Sequence, residues 1–284
     1  MGKSLLTLAV TLVAALACLS VRAQEPSIQA LVRSITNGPG SELIASVLVR
    51  ADKLEPFLPP GYELQNVDVL SGQPLPNGFG LLAINSLRYG AGPGNDIGEA
   101  TSSFLMIQVK PPAWAAKVEF YSPFQFYMLK AYTGNKAYRN LLLDAGFPIE
   151  YRGNVEMTGS FGAPALEVSV PGMLRVAGAG APAFTLPNVQ VVVWYQGSYG
   201  TAALFVDNEE GNFNFAGSTA YSPPGSCWAD ILATSIAGCD PTPTPKAPGW
   251  TCAGPTGVTG LVNYYPKTNK LSIYLIQQQQ QQQP

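Results

Sequence analysis

The side chain that most often does chemistry near neutral pH is missing, because the chain contains no histidine. Serine–histidine–aspartate and cysteine–histidine nucleophiles, histidine general bases and histidine-ligated zinc are excluded with it. Carboxylate, amine, thiol and phenol chemistry remain. Asp207, Glu209 and Glu210 form an acidic stretch of the kind calcium uses, but no loop of alternating oxygen ligands around a glycine accompanies them, so a solvated turn is expected. The glycine-rich run GAGPGND over 90–96 lacks the lysine and hydroxyl residue of a phosphate-binding loop. Trp114, Tyr127, Tyr132, Trp194 and Tyr195 suit a pocket wall and suit a packed core equally, and core is the expectation.

Cysteine usage speaks to compartment. Lys3 precedes an apolar run from Leu5 to Leu19, and Val21 and Ala23 are small residues placed as a signal peptidase prefers. The reading is a secretory signal peptide over 1–23 and an extracellular or secretory-lumen protein. The apolar run falls short of the roughly 20 residues of a spanning helix, and no membrane span is expected. The rest of the chain keeps Cys227, Cys239 and Cys252, close together in the last quarter. Two of the three are expected to pair under oxidising conditions, with Cys239–Cys252 preferred because prolines already turn the chain between them. No metal or other cofactor is expected.

Removing 1–23 takes away Lys3 and Arg22 and no acid, leaving 14 basic and 18 acidic residues and a net charge of −4. That disfavours a nucleic-acid partner and leaves a small molecule as the expected one. An oligomer is compatible with the sequence. With 46% hydrophobic and 12% charged residues the chain is too apolar for intrinsic disorder.

The elements that must position any site are mostly strands. SELIASVLV, YELQNVDVL, GFGLLAINSLRY, SSFLMIQVK, NVEMTGS, ALEVSVP, VQVVVWY, TAALFVD, GVTGLVNYY and KLSIYLI are rich in β-branched and aromatic residues and bounded by Gly, Pro or Asn. DKLEPFL reads as a short helix capped by Asp52, and Asn37-Gly38-Pro39-Gly40 as turn. One longer helical segment is expected over 123–145, from Phe124, Tyr127, Ala131, Tyr138, Leu141 and Leu142, with Gly134 as an interruption. About ten strands around one helical segment predict a mainly β (α+β) domain over 24–276, closed as a barrel or folded as two packed sheets. Within it, 222–256 reads as a Pro- and Cys-rich insertion loop, and the glutamine run of 277–284 as a disordered tail.

One ordered set of motifs is more specific. SVLVRADKLEPFLPPGYEL, then GFGLLAINSLRY, then GNDIGEATSSFLMIQV resembles the acetoacetate decarboxylase family in its strand, short helix, Pro-Gly turn, crossing strand and glutamate-bearing loop. YMLKAYTGNKAY, GNVEMTGSFGAPALEVSV and LPNVQVVVWYQGS echo later parts, so the resemblance spans roughly 41–206. It implies a single closed β-barrel with an internal pocket. It also implies a carbon–carbon lyase activity, in which a neutral lysine amine forms a Schiff base with a β-keto acid and the iminium accepts the electrons released with CO2. Such an amine needs its pKa lowered by an apolar pocket or a neighbouring cation.

Carried over residue by residue, the resemblance gives Lys136 as the Schiff-base former, Arg139 or Lys130 as the neighbouring cation, and Glu99 as the loop glutamate. It also shows departures. The family's second glutamate falls at Gly80, its arginine falls at Glu42, and its lysine pair has no clean counterpart. Two functions are carried forward: a secreted decarboxylase-like protein whose pocket takes a small carbonyl or apolar ligand, and an active decarboxylase using Lys136. A secreted wall-associated protein is a third class, suggested by the Pro/Thr segment and the glutamine run.

Overall fold

The computed structural model describes residues 29–69, 72–120, 122–159, 165–180, 184–237, 250–254 and 260–276. Residues 1–23, where a signal peptide is expected, Cys239 with its proline-rich surroundings and the glutamine run lie outside them.

Strand β1 (Gln29–Arg50) leads into helix α1 (Ala51–Leu54), which tightens into a 3-10 turn over Glu55–Phe57. A short β2 (Glu63–Leu64) precedes β3 (Phe79–Ala91) and β4 (Ala100–Lys110). Then come β5 (Phe124–Thr133), helix α2 (Lys136–Asp144), β6 (Ile149–Tyr151), β7 (Glu156–Thr158), β8 (Leu166–Val170) and β9 (Leu174–Gly180). β10 (Phe184–Gly197) and β11 (Gly200–Ser222) form a long hairpin. Helix α3 (Cys227–Leu232), β12 (Thr251–Ala253), β13 (Gly260–Tyr265) and β14 (Asn269–Ile276) complete the order.

Hydrogen bonding runs β1–β3–β4–β5–β10–β11, and β14 pairs with both β11 and β1, so the sheet closes on itself. Every contact in this ring is antiparallel except β5–β10. The mainly β, closed architecture is as expected. Closure leaves β1 and β11 no free edge along these stretches, which is how a sheet of this size avoids edge-to-edge association.

The strand period of two divides each ring strand between two apolar environments. On β1, Leu43, Ala45 and Val47 join the main core, as do Leu82 and Ile84 of β3 and Leu105 and Ile107 of β4. Val168 of β8, Val176 of β9 and Trp228 of α3 cover this outer face. Ile44, Ala83, Met106, Val191 and Leu204 point the other way, into a cavity inside the ring. Burial on both faces explains why these strands read as near-continuous apolar runs.

Four local expectations need correction. Residues 124–133 are strand β5 rather than the first half of a helix. Leu129 is an extra residue opposite β4, where pairing jumps from Leu105↔Lys130 to Met106↔Met128, and this bulge blurs the alternation that marks a strand. Asn37 to Gly40 belong to β1 as an irregularity in its pairing with β3, not to a free turn. Asp52 lies in the first turn of α1, with Arg50 at the N-cap position, and its carboxylate accepts from the Arg50 guanidinium. Within 222–256, α3 buries Trp228, Ile231 and Leu232, so part of this segment is core. No helix among the described residues is long and apolar enough to cross a membrane.

Candidate ligand-binding cavity

The cavity inside the ring has a volume of about 480 Å³. Its walls are aliphatic and aromatic, with Ile44, Phe104, Met106, Phe126, Val193 and Val206 among them. Phe184 and Leu186 line it while remaining more than a third exposed, which places them at its rim, and Phe184 stacks on Phe213 with ring centroids 5.8 Å apart. A cleft of this size, largely apolar with a few polar groups, is the ordinary form of a small-molecule site.

One end is polar. Glu42 is only 5% exposed. Its Oε1 accepts a hydrogen bond from Asn85 Nδ2 at 2.6 Å, and its Oε2 accepts from the Tyr265 hydroxyl. Strand register explains the meeting: Glu42 and Asn85 project from neighbouring antiparallel strands near the same level, since Ile44 pairs with Asn85 and Glu42 with Leu87. Tyr265 arrives from β13, which pairs with the same stretch of β1. The Tyr89 ring lies 6.2 Å from that of Tyr265. A Cβ on Gly40 would sit 2.3 Å from Tyr89 Cδ1, so this glycine lets the tyrosine lie against the β1 backbone. Burial pushes the Tyr89 phenol well above its ordinary pKa, and the Glu42 carboxylate and Tyr138 add to the shift.

Helix α2 delivers Tyr138. Asn135 caps the helix, its side chain accepting from the Tyr138 amide at 3.0 Å. The Asn135 amide group donates to the carbonyls of Ile97 and Glu99 at 2.9 and 2.8 Å, which fixes the helix to the loop before β4. The cap sets the phase of the helix. Tyr138 and Leu142 turn inward and are buried, while Lys136 faces out. Tyr138 lines the cavity, while its hydroxyl is buried, has no hydrogen-bond partner among the described residues, and is pushed to a raised pKa by burial.

The residues expected to act together do not share this cavity. Lys136 is exposed, with its ammonium over the Tyr151 ring, 5.3 Å from the centroid. Arg139 donates to Asn140 Oδ1 at 2.8 Å on the same outer side. Lys130 pairs with Glu150 at 3.4 Å, and Glu150 also holds Arg152 at 2.7 Å. The Glu99 carboxylate is exposed and borders a separate, open depression with Arg88 and Tyr264. Glu42 does face the cavity, where the family resemblance puts an arginine. Asn85, Tyr89, Tyr138 and Tyr265 were not marked as site residues by sequence; Tyr138 alone carried a signal, as an inward position in the helical spacing. At the opposite end of the cavity lie Asp68 and Gln108, both buried.

The acidic stretch is part of β11 rather than a turn. Asp207 accepts from Gln190 at 3.2 Å, and Glu210 pairs with Lys267 at 2.8 Å. Cys227 is an exposed free thiol and Cys252 is disulfide-bonded, while Cys239 lies outside the described residues.

No protein-family model matches the chain, and neither does any curated protein. Among solved structures, the chain is similar to the enduracididine biosynthesis enzyme MppR complexed with pyruvate, at 11% identity over 84% of this chain and 88% of that one, with a TM-score of 0.49. It is also similar to an acetoacetate decarboxylase-like enzyme from Sphingomonas wittichii RW1, at 11% identity, 86% and 92% coverage and a TM-score of 0.45. An acetoacetate decarboxylase from Legionella pneumophila is similar at 10% identity, 88% and 91% coverage and a TM-score of 0.43.

Proposed function

We propose that the chain is a secreted binding protein that takes a small, neutral and largely apolar molecule into its central cavity. One observation carries the reading: the charged residues among the described lining are the acids Glu42 and Asp68, with neither lysine nor arginine. A Schiff base needs an amine at the substrate, and the carboxylate of a keto acid needs a neutral or cationic neighbour. Here Lys136, Lys130 and Arg139 serve the outer surface, and Glu42 stands inside. Secretion follows from the N-terminal segment, and pairing of Cys239 with Cys252 belongs to the same reading.

Borohydride trapping in the presence of acetoacetate tests it. The expected result is no covalent adduct on any lysine, together with saturable binding of a neutral apolar dye. An adduct on Lys136 that disappears in Lys136→Ala would overturn the reading in favour of a decarboxylase.

A further inference from the structure

The dipeptide Asn-Gly occurs twice in the sequence, at 37–38 and at 77–78, and the fold gives the two copies opposite surroundings. In this dipeptide the asparagine side chain is most open to attack by the backbone, because the next residue has no Cβ to hinder its own amide nitrogen and its peptide rotates freely. Asn37 lies in β1 between Ala91 of β3 and Asn269 of β14, and is 4% exposed. Its Nδ2 donates to Asn269 Oδ1 at 2.9 Å, and its Oδ1 accepts from Asn95 Nδ2 at 3.0 Å. Gly38 is hemmed in as well, since a Cβ there would sit 2.7 Å from the Ala91 carbonyl oxygen. Asn77 and Gly78, by contrast, are exposed in the turn that enters β3, which the Phe79 amide closes on the Pro76 carbonyl at 3.2 Å. Gly78 has a φ of +80°, and a Cβ on it would meet nothing within 4 Å. Among the described residues the Asn77 side chain and the Gly78 amide make no hydrogen bond.

We propose that Asn77 is a site of spontaneous deamidation and that the fold protects Asn37 from the same reaction. The Gly78 nitrogen, having lost its proton to base, attacks Cγ of the Asn77 side chain. The N–Cγ bond forms, the Cγ–Nδ2 bond breaks, and Nδ2 takes up a proton and leaves as ammonia. Water then opens the resulting cyclic imide at either carbonyl, giving aspartate or isoaspartate. Water and base are the only co-reactants. A neutral amide becomes a carboxylate, so the chain gains a negative charge. In the isoaspartate the backbone runs through the former side chain. That lengthens by a methylene the turn whose Gly78 carbonyl accepts from the Ala51 amide at 2.8 Å, and so loosens the joint between β3 and α1. At Asn37 the same attack first requires both side-chain hydrogen bonds and the strand pairing to open, and about 1.4 kcal/mol of opening already slows a reaction about tenfold. The site is independent of what the cavity binds.

The test is incubation of the whole protein at mildly alkaline pH, native and in guanidinium chloride, followed by mass mapping of the tryptic peptides 34–50 and 54–88. Tandem fragmentation assigns the new acid to Asn77 rather than to Asn66 or Asn85 of the same peptide. Denaturation removes the structural difference, so the ratio of the Asn77 rate to the Asn37 rate in guanidinium chloride is the reference. In the native protein that ratio is expected to be at least about tenfold larger, with Asn77 giving a mixture of isoaspartate and aspartate. Asn77→Gln should abolish the fast conversion in 54–88. A smaller excess of the native ratio overturns the proposal, as does an Asn77 that stays amidated in the native protein, or fast conversion of 54–88 that persists in Asn77→Gln.

Discussion

Replacing Tyr138 by phenylalanine should stabilise the ligand-free protein, which is the reverse of what a buried tyrosine usually contributes. The side chain is 3% exposed and belongs to the same buried hydrophobic cluster as Leu142, Phe147 and Met128. All of that packing survives in phenylalanine. What is lost is a hydroxyl with no hydrogen-bond partner among the described residues. An unsatisfied buried group costs about 1–3 kcal/mol, and a cavity water at the polar end would recover part of it. The expected gain is therefore at the low end, about 1 kcal/mol, or roughly 2–4 °C in Tm for a chain of this size. Urea denaturation is the assay: the midpoint should rise with no change in slope. A loss of more than about 1 kcal/mol would refute the reasoning, since the hydroxyl would then hold a protein partner.

Other predictions separate the cavity from the rest of the fold. Tyr132→Phe should do the opposite of Tyr138→Phe and cost about 1–2 kcal/mol, because the buried Trp228 indole then loses its acceptor at 3.0 Å; the same urea titration reads it. Tyr62, Tyr89, Tyr127, Tyr132 and Tyr138 all have pKa values raised in the fold, with burial the first cause in each. Their contribution is intact below pH about 10 and falls above it, where the unfolded chain ionises first, by about 1.4 kcal/mol per pH unit for each tyrosine still protonated in the fold. Stability should therefore be flat in these groups from about pH 8 to about pH 10 and drop steeply beyond, and a flat profile to about pH 11 would contradict the burial. Maleimide labelling of the native protein should modify Cys227 alone, with Cys239 and Cys252 labelled only after reduction; native labelling of Cys239 would refute the pairing.

What the sequence made legible followed from local rules. The apolar runs of β1, β3, β4, β10 and β11 declared strands, and the alternation within them already separated Glu42 from Leu43 and Ala45. The motif order 46–109 also led to the right expectation of a closed β domain, and it flagged Glu42 as a position at odds with an anion-binding pocket. Two things were hidden. The bulge at Leu129 made β5 imitate a helix. The phase of α2 depends on Asn135 binding both the helix and the Glu99 loop, so it took the tertiary structure to turn Tyr138 inward and Lys136 outward. The Glu42 end of the cavity is a long-range construction. Tyr265 and Glu42 are 223 residues apart in sequence and meet only because β13 pairs with β1. No spacing rule reaches that far.

The central claim is that the ring encloses the binding site. Ala83 tests it most directly, as a small, 1% exposed residue on β3 that lines the cavity opposite Met106 of β4. In Ala83→Phe the added ring occupies the cavity. With N-phenyl-1-naphthylamine, a neutral apolar dye, at about 100 times its Kd, the wild-type protein should gain about 2.7 kcal/mol, or roughly 5–10 °C in Tm. The account predicts that this thermal shift is lost in Ala83→Phe while cooperative unfolding is retained. An equal shift in both proteins, or none in the wild type, would contradict it.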